Sequence, residues 1–193
     1  MTTTTGGAAN VLGKLEDYLQ TEWPELDVYL SSVTDHYATA SICGPNSKKI
    51  LNKLIPDLDL SDESFPHMSF KNAKIDNIKC KIMRISFTGE HTYEINIQAN
   101  YGEDLWKKCM EAGEEFSITP YGTETMHLLR AEKGFIIIGQ DTDATMTPID
   151  LQMDWIVSKK KYDFIGKRSL YRSDTMKEDR KQLVGLLTDN PSE

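Results

Sequence analysis

The chain has 193 residues, enough for one ordinary domain or two small ones, and 39% of them are hydrophobic, which suffices for a core. Its formal net charge of -8 opposes attraction to phosphate backbones, so no nucleic-acid partner is expected. No basic leader precedes an apolar stretch, and no run reaches the roughly 20 apolar residues of a membrane span, so a cytoplasmic location without a membrane partner is expected.

The first part of the chain begins with a helix and continues with strand-forming sequence. Apolar residues at helical spacing predict a helix over residues 8–20, which ends before Pro24. Residues 27–33 are rich in strand formers, and residues 38–42 alternate between apolar and polar. Two antiparallel strands joined near residues 34–35 are therefore predicted.

A second helix and a hairpin follow. Gly44-Pro45 begins the helix, because proline is harmless in a first turn. Its apolar stripe consists of Ile50, Leu51, Leu54 and Ile55. Residues 68–75 and 78–87 predict two strands, and Asp76-Asn77 between them is typical of a hairpin turn. The helix is expected to pack on the sheet.

Residues 91–98 predict a strand that follows a turn at Thr88-Gly89-Glu90. The apolar face of this strand carries Tyr93, Ile95 and Ile97, and the polar face carries Thr92, Glu94, Asn96 and Gln98. A helix over residues 102–112 follows, ended by Gly113, with an inward face of Leu105, Trp106, Cys109 and Met110. Helices beside a largely antiparallel sheet predict an α+β domain of ferredoxin-like type, with the helices on one face.

The last third of the chain contains little regular structure. Residues 121–133 predict a helix with Met126 and Leu129 on its apolar face and with His127 and Arg130 displaced together. A loop-rich segment follows. Residues 172–181 predict a charged connector, and residues 183–187 predict a strand without a partner in this sequence.

Generic catalytic and metal-binding patterns are weak. The four histidines are scattered and none forms a His-Glu zinc pattern, so no metal site is expected. Cys43, Cys80 and Cys109 form no C-x-x-C pair, and reduced, buried thiols are expected. The basic run at 159–161 is followed by Asp163 and indicates a solvated loop.

From residue 86 onward, short motifs follow one another in an order that local structure does not require. They are Ser86–Glu90, Tyr93-Glu94, Tyr121-Gly122, Leu129–Gly134, Gly139–Asp141, Thr147-Pro148 and Phe164–Gly166. In this order they resemble the glycine-cleavage T-protein superfamily of folate-binding aminomethyltransferases. Longer strings resemble the C-terminal aminomethyltransferase-like part of sarcosine oxidase α subunits, namely 130–134, 139–143, 154–155, 181–187 and the opening 1–7.

The resemblance covers essentially the whole chain and implies part of a T-protein fold, incomplete at both ends. Residues 1–22 are then the remnant of a preceding domain, and residues 23–120 form the ferredoxin-like α+β domain. Residues 121–180 are the remainder of the aminomethyltransferase core, and residues 181–193 begin a truncated C-terminal barrel.

Glu94 is the principal candidate for folate binding. A carboxylate can accept bonds from the adjacent ring N–H and amino group of a pterin, and the resemblance places the family's pterin-binding glutamate at this position. It also implies that Arg130 helps to form the folate pocket, that the Phe87 ring packs on the flat ligand, and that Tyr121 is a weaker pocket residue.

Structural roles are the alternatives for the two charged candidates. Glu94 is then an exposed strand residue balanced by a lysine. Arg130 is then a surface residue paired with Glu124 or Glu132.

For the complete protein, the resemblance implies transfer of a one-carbon unit from a methylated glycine, sarcosine, to tetrahydrofolate, which gives 5,10-methylenetetrahydrofolate. The family's catalytic aspartate is expected upstream of Met1, so no catalytic residue is assigned and the chain alone is expected to be inactive. Flavin and NAD are expected only in other domains or subunits, because no G-x-G-x-x-G fingerprint is present. The implied partners are tetrahydrofolate and the other sarcosine oxidase subunits or the rest of the α subunit.

Two alternatives from other functional classes remain open. One is a noncatalytic folate-binding protein, a group expected to carry a cysteine after a Lys-Gly pair, whereas Phe135 follows Lys133-Gly134 here. The other is a structural subunit fragment that folds but has no activity.

Overall fold

The computed structural model describes residues 1–186 and 189–190, and the chain divides into two units, Met1–Met126 and His127–Glu193. The helices are α1 (Ala8–Thr21), α2 (Ser47–Leu54), α3 (Gly102–Gly113) and α4 (Thr123–Glu132). The strands are β1 (Tyr37–Cys43), β2 (Phe70–Ile75), β3 (Ile78–Met83) and β4 (Thr92–Gln98). Short 3-10 turns lie at Thr5–Gly7, Thr34–His36, Ala99–Tyr101, Glu114–Phe116, Asp154–Ile156 and Lys167–Tyr171.

The four strands form one antiparallel sheet in the order β1-β4-β3-β2. The β2–β3 hairpin turns at Asp76 and Asn77, whose φ angles of 47° and 69° are the two left-handed conformations that a tight hairpin needs. Asparagine and aspartate tolerate this region better than other residues with a side chain. The predicted hairpin and its turn are therefore confirmed.

The core lies between one face of the sheet and the helices α2 and α3. Tyr93, Ile95 and Ile97 of β4 are at most 3% exposed and belong to the same apolar cluster as Leu51 of α2 and Leu105 of α3. These are the faces that strand and helix periodicity predict. A four-stranded antiparallel sheet with helices on its apolar face confirms the α+β class.

The other face of the sheet, called the polar face below, follows from strand alternation and register. Its residues are Tyr37, Thr39, Ser41, Cys43, Phe70, Asn72, Lys74, Lys79, Lys81, Met83, Thr92, Glu94, Asn96 and Gln98. Phe70 on this face is 60% exposed.

One predicted strand is wrong. Residues 27–33 form no strand, and Val28 and Tyr29 within them are 49% and 92% exposed. Residues 183–186 are in no strand, in line with the prediction that this segment has no partner in this sequence, and Leu187 lies outside the described residues. Strand propensity alone does not form a strand, because a strand also needs a partner to which it is hydrogen-bonded in register. In the described sheet, β1 is paired on one side only, with β4.

Trp106 corrects the predicted inward face of α3. It is 51% exposed, whereas Leu105 and Cys109, which lie four residues apart on one side of the helix, are 1% and 4% exposed. Trp106 is rotated away from this line by about 100°. The other helices lie close to their predicted ranges, and α4 contains Met126, Leu129 and Arg130 as expected.

The three cysteines are free; Cys80 and Cys109 are buried as predicted, but Cys43 is only half-buried. Burial raises the pKa of each of the two buried thiols to about 11, which keeps them protonated at neutral pH. Among residues 1–186 and 189–190, no helix is both long and apolar enough to cross a membrane.

Candidate functional site

Glu94 lies at the middle of the polar face, on the interior strand β4. It is directly opposite Ser41 of β1 on one side and Met83 of β3 on the other. Its position follows from the alternation that buries Tyr93 and Ile95, because every second side chain of β4 must point to the opposite face. The structure therefore places the principal candidate on a rigid, doubly paired strand.

The Glu94 carboxylate is half-buried and has no partner among the described residues. Within the described part of the chain, no hydrogen-bond donor or cation pairs with it. Burial raises the pKa of this carboxyl group, and no neighbouring positive charge counteracts that shift. The alternative of a glutamate balanced by a lysine is therefore not what the structure shows.

The turn that leads into β4 is held by several hydrogen bonds. Gly89 has a φ of 78°, a left-handed conformation that glycine adopts without strain. Thr92 Oγ1 donates to the Glu90 carbonyl at 2.9 Å, and it lies 3.1 Å from Ser86 Oγ. The His91 carbonyl accepts the Ser47 hydroxyl at 2.8 Å, which ties the turn to the start of α2.

Cys43 and Thr88 form a small polar cluster at this end of the sheet. Cys43 Sγ lies 2.9 Å from Thr88 Oγ1, and Thr88 is 2% exposed. Burial, followed by the neighbouring Cys43 thiol, raises the pKa of Tyr121 to about 12. Because Cys43 is directly opposite Thr92 in the β1–β4 pair, this cluster is one step along the polar face from Glu94.

The structure thus brings Tyr121 to the end of β4 that carries Glu94, and Phe87 lies on the loop that enters the same end. The Phe87 ring is 42% exposed and the Tyr121 ring 38% exposed. Cys43 and Thr88 were missed from the sequence, since a threonine in a turn and a lone cysteine carry no local signal of a site. Only the alternation of β1, which puts residue 43 on the polar face, pointed to Cys43.

Arg130 lies in the second unit and is 8% exposed. Its guanidinium pairs with Asp141 and donates from Nη1 to the Phe135 carbonyl at 3.1 Å. Asp141 also accepts the Ile137 N–H at 2.8 Å, and this bond, followed by the Arg130 pair, lowers the pKa of Asp141. The expected alternative pairing with Glu124 or Glu132 is not observed. Arg130 Nε is buried and has no partner in the described structure.

A second ion pair in the same unit was not predicted. The Asp150 carboxylate is 2% exposed and accepts bonds from Thr147 N at 2.7 Å and from Arg180 Nε at 2.7 Å. The Arg180 pair lowers the pKa of Asp150 well below its usual range. Asp150 and Arg180 are 30 residues apart in sequence, so no local sequence pattern predicts that they form an ion pair. Lys159 to Lys161 are exposed, as predicted for this basic run.

No group of three or more His, Cys, Asp or Glu side chains among the described residues is arranged to hold a metal ion. His91 illustrates why, because its Nε2 is 3.0 Å from the Tyr93 hydroxyl and its imidazole is committed to that contact. Burial, followed by the charge of Arg84, lowers the pKa of His91, so it is neutral near pH 7.

Comparison with known proteins agrees with the motif order. Sarcosine oxidase subunit alpha of Corynebacterium sp. (strain P-1) is 57% identical over 188 residues, which are 97% of this chain and 19% of that protein. An aminomethyltransferase of Thermoanaerobacter sp. (strain X514) is 34% identical over 163 residues, 83% of this chain and 43% of that protein. Human mitochondrial dimethylglycine dehydrogenase is 34% identical over 145 residues, 75% of this chain and 17% of that protein.

The chain thus spans about a fifth of the length of the sarcosine oxidase α subunits that it matches. Residues 1–161 match the family model described as the GCVT N-terminal domain. The predicted resemblance to the T-protein superfamily and to sarcosine oxidase α subunits is confirmed by these matches. Because the family match extends over most of the sequence, this chain belongs to the GCVT N-terminal domain family.

Proposed function

We propose that this chain forms the pterin-binding part of a folate-dependent aminomethyltransferase domain, and that Glu94 is the acceptor for the pterin. The observation that carries the proposal is the half-buried Glu94 carboxylate on an interior strand, which no described residue pairs with. Burying an ionised group without a partner costs free energy. A ligand that supplies the missing donors offsets this cost and so accounts for the residue.

The chemistry of Glu94 fits the pterin ring. Two neighbouring N–H groups of the pterin face the two oxygens of a carboxylate, which accept them in a bidentate fork. Asn96, two residues along the same face, has a buried Nδ2 without a partner among the described residues, while its Oδ1 accepts the Thr39 hydroxyl at 2.8 Å. The polar face around Glu94 therefore retains unused hydrogen-bonding capacity.

The other candidate residues have roles that follow from their surroundings. Half-exposed Phe87 and Tyr121 offer aromatic surfaces for a flat ring. We propose that Arg130 also contributes to folate binding; its Nη1 is already committed to Asp141 and Phe135, while its Nε has no partner among the described residues. We propose that Arg130 contributes less to folate binding than Glu94 does. Its main role, in this proposal, is to hold the backbone of residues 135–141 in place.

For the whole protein, we propose that tetrahydrofolate accepts a one-carbon unit from a methylated glycine, sarcosine, and becomes 5,10-methylenetetrahydrofolate. The residues of this chain bind and orient the folate. We assign no catalytic residue within the chain and expect no turnover by the chain alone. Flavin, NAD and further subunits belong, in this proposal, to other parts of the enzyme. The ferredoxin-like type of the sheet and the division of the chain at residues 22, 120 and 180 stay predictions.

Calorimetric titration with 5-formyltetrahydrofolate, a reduced folate that resists oxidation, tests the proposal. Glu94→Gln keeps the size of the side chain but turns one acceptor into a donor that faces the pterin donors. Loss of charged hydrogen bonds, at about 1.5–3 kcal/mol, weakens binding by roughly 10- to 150-fold. Arg130→Lys should weaken binding less than Glu94→Gln does.

Glu111→Gln is the matched control. It makes the same charge change at an exposed position of α3, on the other side of the sheet, and should leave the affinity unchanged. Absence of binding heat at millimolar folate would contradict the proposal and favour a structural subunit fragment. Equal affinities of wild type, Glu94→Gln and Glu111→Gln would remove Glu94 from the site.

A further inference from the structure

One edge of the sheet, strand β1, lacks the features that protect open edges. In the described sheet β1 is paired only with β4 and β2 only with β3, so both are edge strands. Lysines at an edge discourage pairing with a further strand, and β2 carries Lys71 and Lys74. The sequence of β1, YATASIC, contains neither a charged residue nor a proline. The β1 edge is therefore open to a further strand.

The backbone groups at this open edge belong to alternate residues. Gly44, the residue after β1, donates from its N–H to the His91 carbonyl at 2.9 Å. Because hydrogen-bonded residues alternate along an antiparallel strand, the even-numbered residues of β1 direct their N–H and C=O groups to β4. Those of Thr39 and Ser41 then point to the open edge. A fifth strand must be hydrogen-bonded to these odd-numbered residues.

Residues 27–33 are called the strap below. They have strand-forming sequence but form no strand, and the 3-10 turn Thr34–His36 joins them to β1. The His36 N–H donates to the Val33 carbonyl at 3.0 Å, as in the type I turn of a three-residue hairpin loop. Such a loop needs a left-handed conformation at its third residue, here His36, and histidine is enriched in that region. In the described structure the φ of His36 is not positive. The hairpin turn is therefore in place except at this residue.

The register that this turn sets matches the open edge. A hairpin whose loop is residues 34–36 pairs Val33 with Tyr37, Ser31 with Thr39, and Tyr29 with Ser41. These partners are the odd-numbered residues of β1, whose backbone groups point outward. Val28 and Leu30 of the strap then lie opposite Ile42 and Ala40, which face the apolar core. The hydrogen-bond pattern and the side-chain pattern therefore both fit the same register.

Pairing in this register moves Tyr29 to the polar face. The Tyr29 side chain is 92% exposed in the present structure. Directly opposite residues of antiparallel strands have their side chains on the same face, and Ser41 is directly opposite Glu94. Tyr29, Ser41 and Glu94 then form one row across three strands. Because neighbouring strands are about 4.8 Å apart, the Tyr29 backbone is on the order of 10 Å from that of Glu94, close enough for its ring to cover a ligand bound there.

We propose that the strap closes on β1 as a fifth strand when a folate binds to the polar face, and that closure adds the Tyr29 ring to the pterin site. This inference rests on the proposed function. The ligand shifts the equilibrium towards the closed strap because it contacts Tyr29 only in that state. The aromatic ring then packs on a flat ligand, and the backbone groups of the β1 edge gain partners.

Amide hydrogen exchange of the full chain, measured residue by residue by NMR with and without 5-formyltetrahydrofolate, tests the closure. Saturating ligand should slow exchange at the amides of Tyr29, Ser31, Thr39 and Ser41 by a factor on the order of ten or more, because these four N–H groups become hydrogen-bonded. The even-numbered amides of the strap should remain unprotected, because they point away from β1.

Two proline variants at neighbouring serines form a matched pair. Ser31→Pro removes an N–H that donates to the Thr39 carbonyl in the closed strap, whereas Ser32→Pro removes one that points away from β1. The other contacts that Ser32→Pro removes are exposed hydroxyl contacts with Thr34. Ser31→Pro should abolish the ligand-dependent protection and weaken folate binding by about 2- to 10-fold, and Tyr29→Ala should weaken binding similarly. Ser32→Pro should retain both the protection and the affinity.

The outcomes separate closure of the strap from the proposed function. Binding that depends on Glu94 but leaves the strap amides unprotected overturns the closure and leaves the proposed function intact. Protection that is complete without ligand, or equal effects of Ser31→Pro and Ser32→Pro, also overturns it. Protection that increases with protein concentration overturns it by assigning the β1 edge to a second copy of the chain. If 5-formyltetrahydrofolate does not bind, the proposed function fails and the closure fails with it.

Discussion

Replacing Gly113 with alanine sets two physical effects against each other at the end of α3. Gly113 is buried, and its φ of -91° and ψ of -6° are accessible to any L-residue, so alanine causes no backbone strain there. Alanine is also the better helix former, by about 0.8–1 kcal/mol in a helix interior. On local propensity alone, Gly113→Ala is expected to stabilise the protein.

Packing reverses this expectation. A Cβ atom at Gly113 would lie 2.6 Å from Ile118 Cβ, 2.7 Å from Cγ2 and 2.8 Å from Cδ1. Three such contacts with one side chain cannot be relieved by rotating a flexible tip, since Ile118 Cβ itself is involved. Overpacking of this kind costs about 1–3 kcal/mol. At the end of a helix the propensity gain is smaller, so we expect net destabilisation of about 1–2 kcal/mol.

Chemical denaturation followed by circular dichroism measures the change, with Gly13→Ala in α1 as the matched control. Nothing lies within 4 Å of a Cβ at Gly13, so the same substitution there should stabilise by up to about 1 kcal/mol. Ile118→Gly, which also removes the clashing Cβ, should cost less in the Gly113→Ala background than in wild type, because the two sites are in contact. A Gly113→Ala variant at least as stable as wild type would refute the packing argument.

Two further predictions concern charged groups. Glu94→Gln should raise stability near neutral pH, because burial raises the pKa of this carboxyl group and its ionised form is disfavoured in the fold. That gain should vanish below the unfolded-state pKa of about 4.3, where Glu94 is protonated in both the folded and the unfolded chain. If the difference in thermal unfolding between the variant and wild type did not change with pH, burial of the charge would not be its cause. The Leu183 amide donates to the Asp150 carbonyl at 2.9 Å. Asp150→Ala should therefore speed hydrogen exchange at the Leu183 amide by a factor on the order of ten or more. Glu178→Ala, at an exposed position, should leave this exchange rate unchanged.

Local signals account for the elements that were predicted correctly. Helical spacing located α1 to α4, and Asp76-Asn77 located the hairpin, because each of these structures is stabilised by contacts between residues close in sequence. Alternation in β4 correctly placed Tyr93 in the core and Glu94 on the opposite face. Residues 27–33 have the propensity of a strand but pair with no strand among the described residues.

The partners within the site depend on contacts between distant residues. Arg130 was expected to need a carboxylate, yet its partner is Asp141, eleven residues away in a loop, and not a glutamate on its own helix. The Cys43–Thr88 contact joins residues 45 apart in sequence. Turns and loops bring such pairs together, and the periodicity of the sequence does not predict their geometry. A single sequence therefore predicts the candidate residues but not the residues that they contact.

By itself, the sequence determined the α+β class, the order of most elements, the family and the face that carries Glu94. These properties follow from short-range periodicity and from motif order. Only the tertiary structure decided that Glu94 has no partner among the described residues. It also decided that Arg130 is committed to Asp141. The burial of a side chain and its partners depend on which distant segments of the chain pack against each other. Its hydrogen bonds and its pKa depend on the same packing.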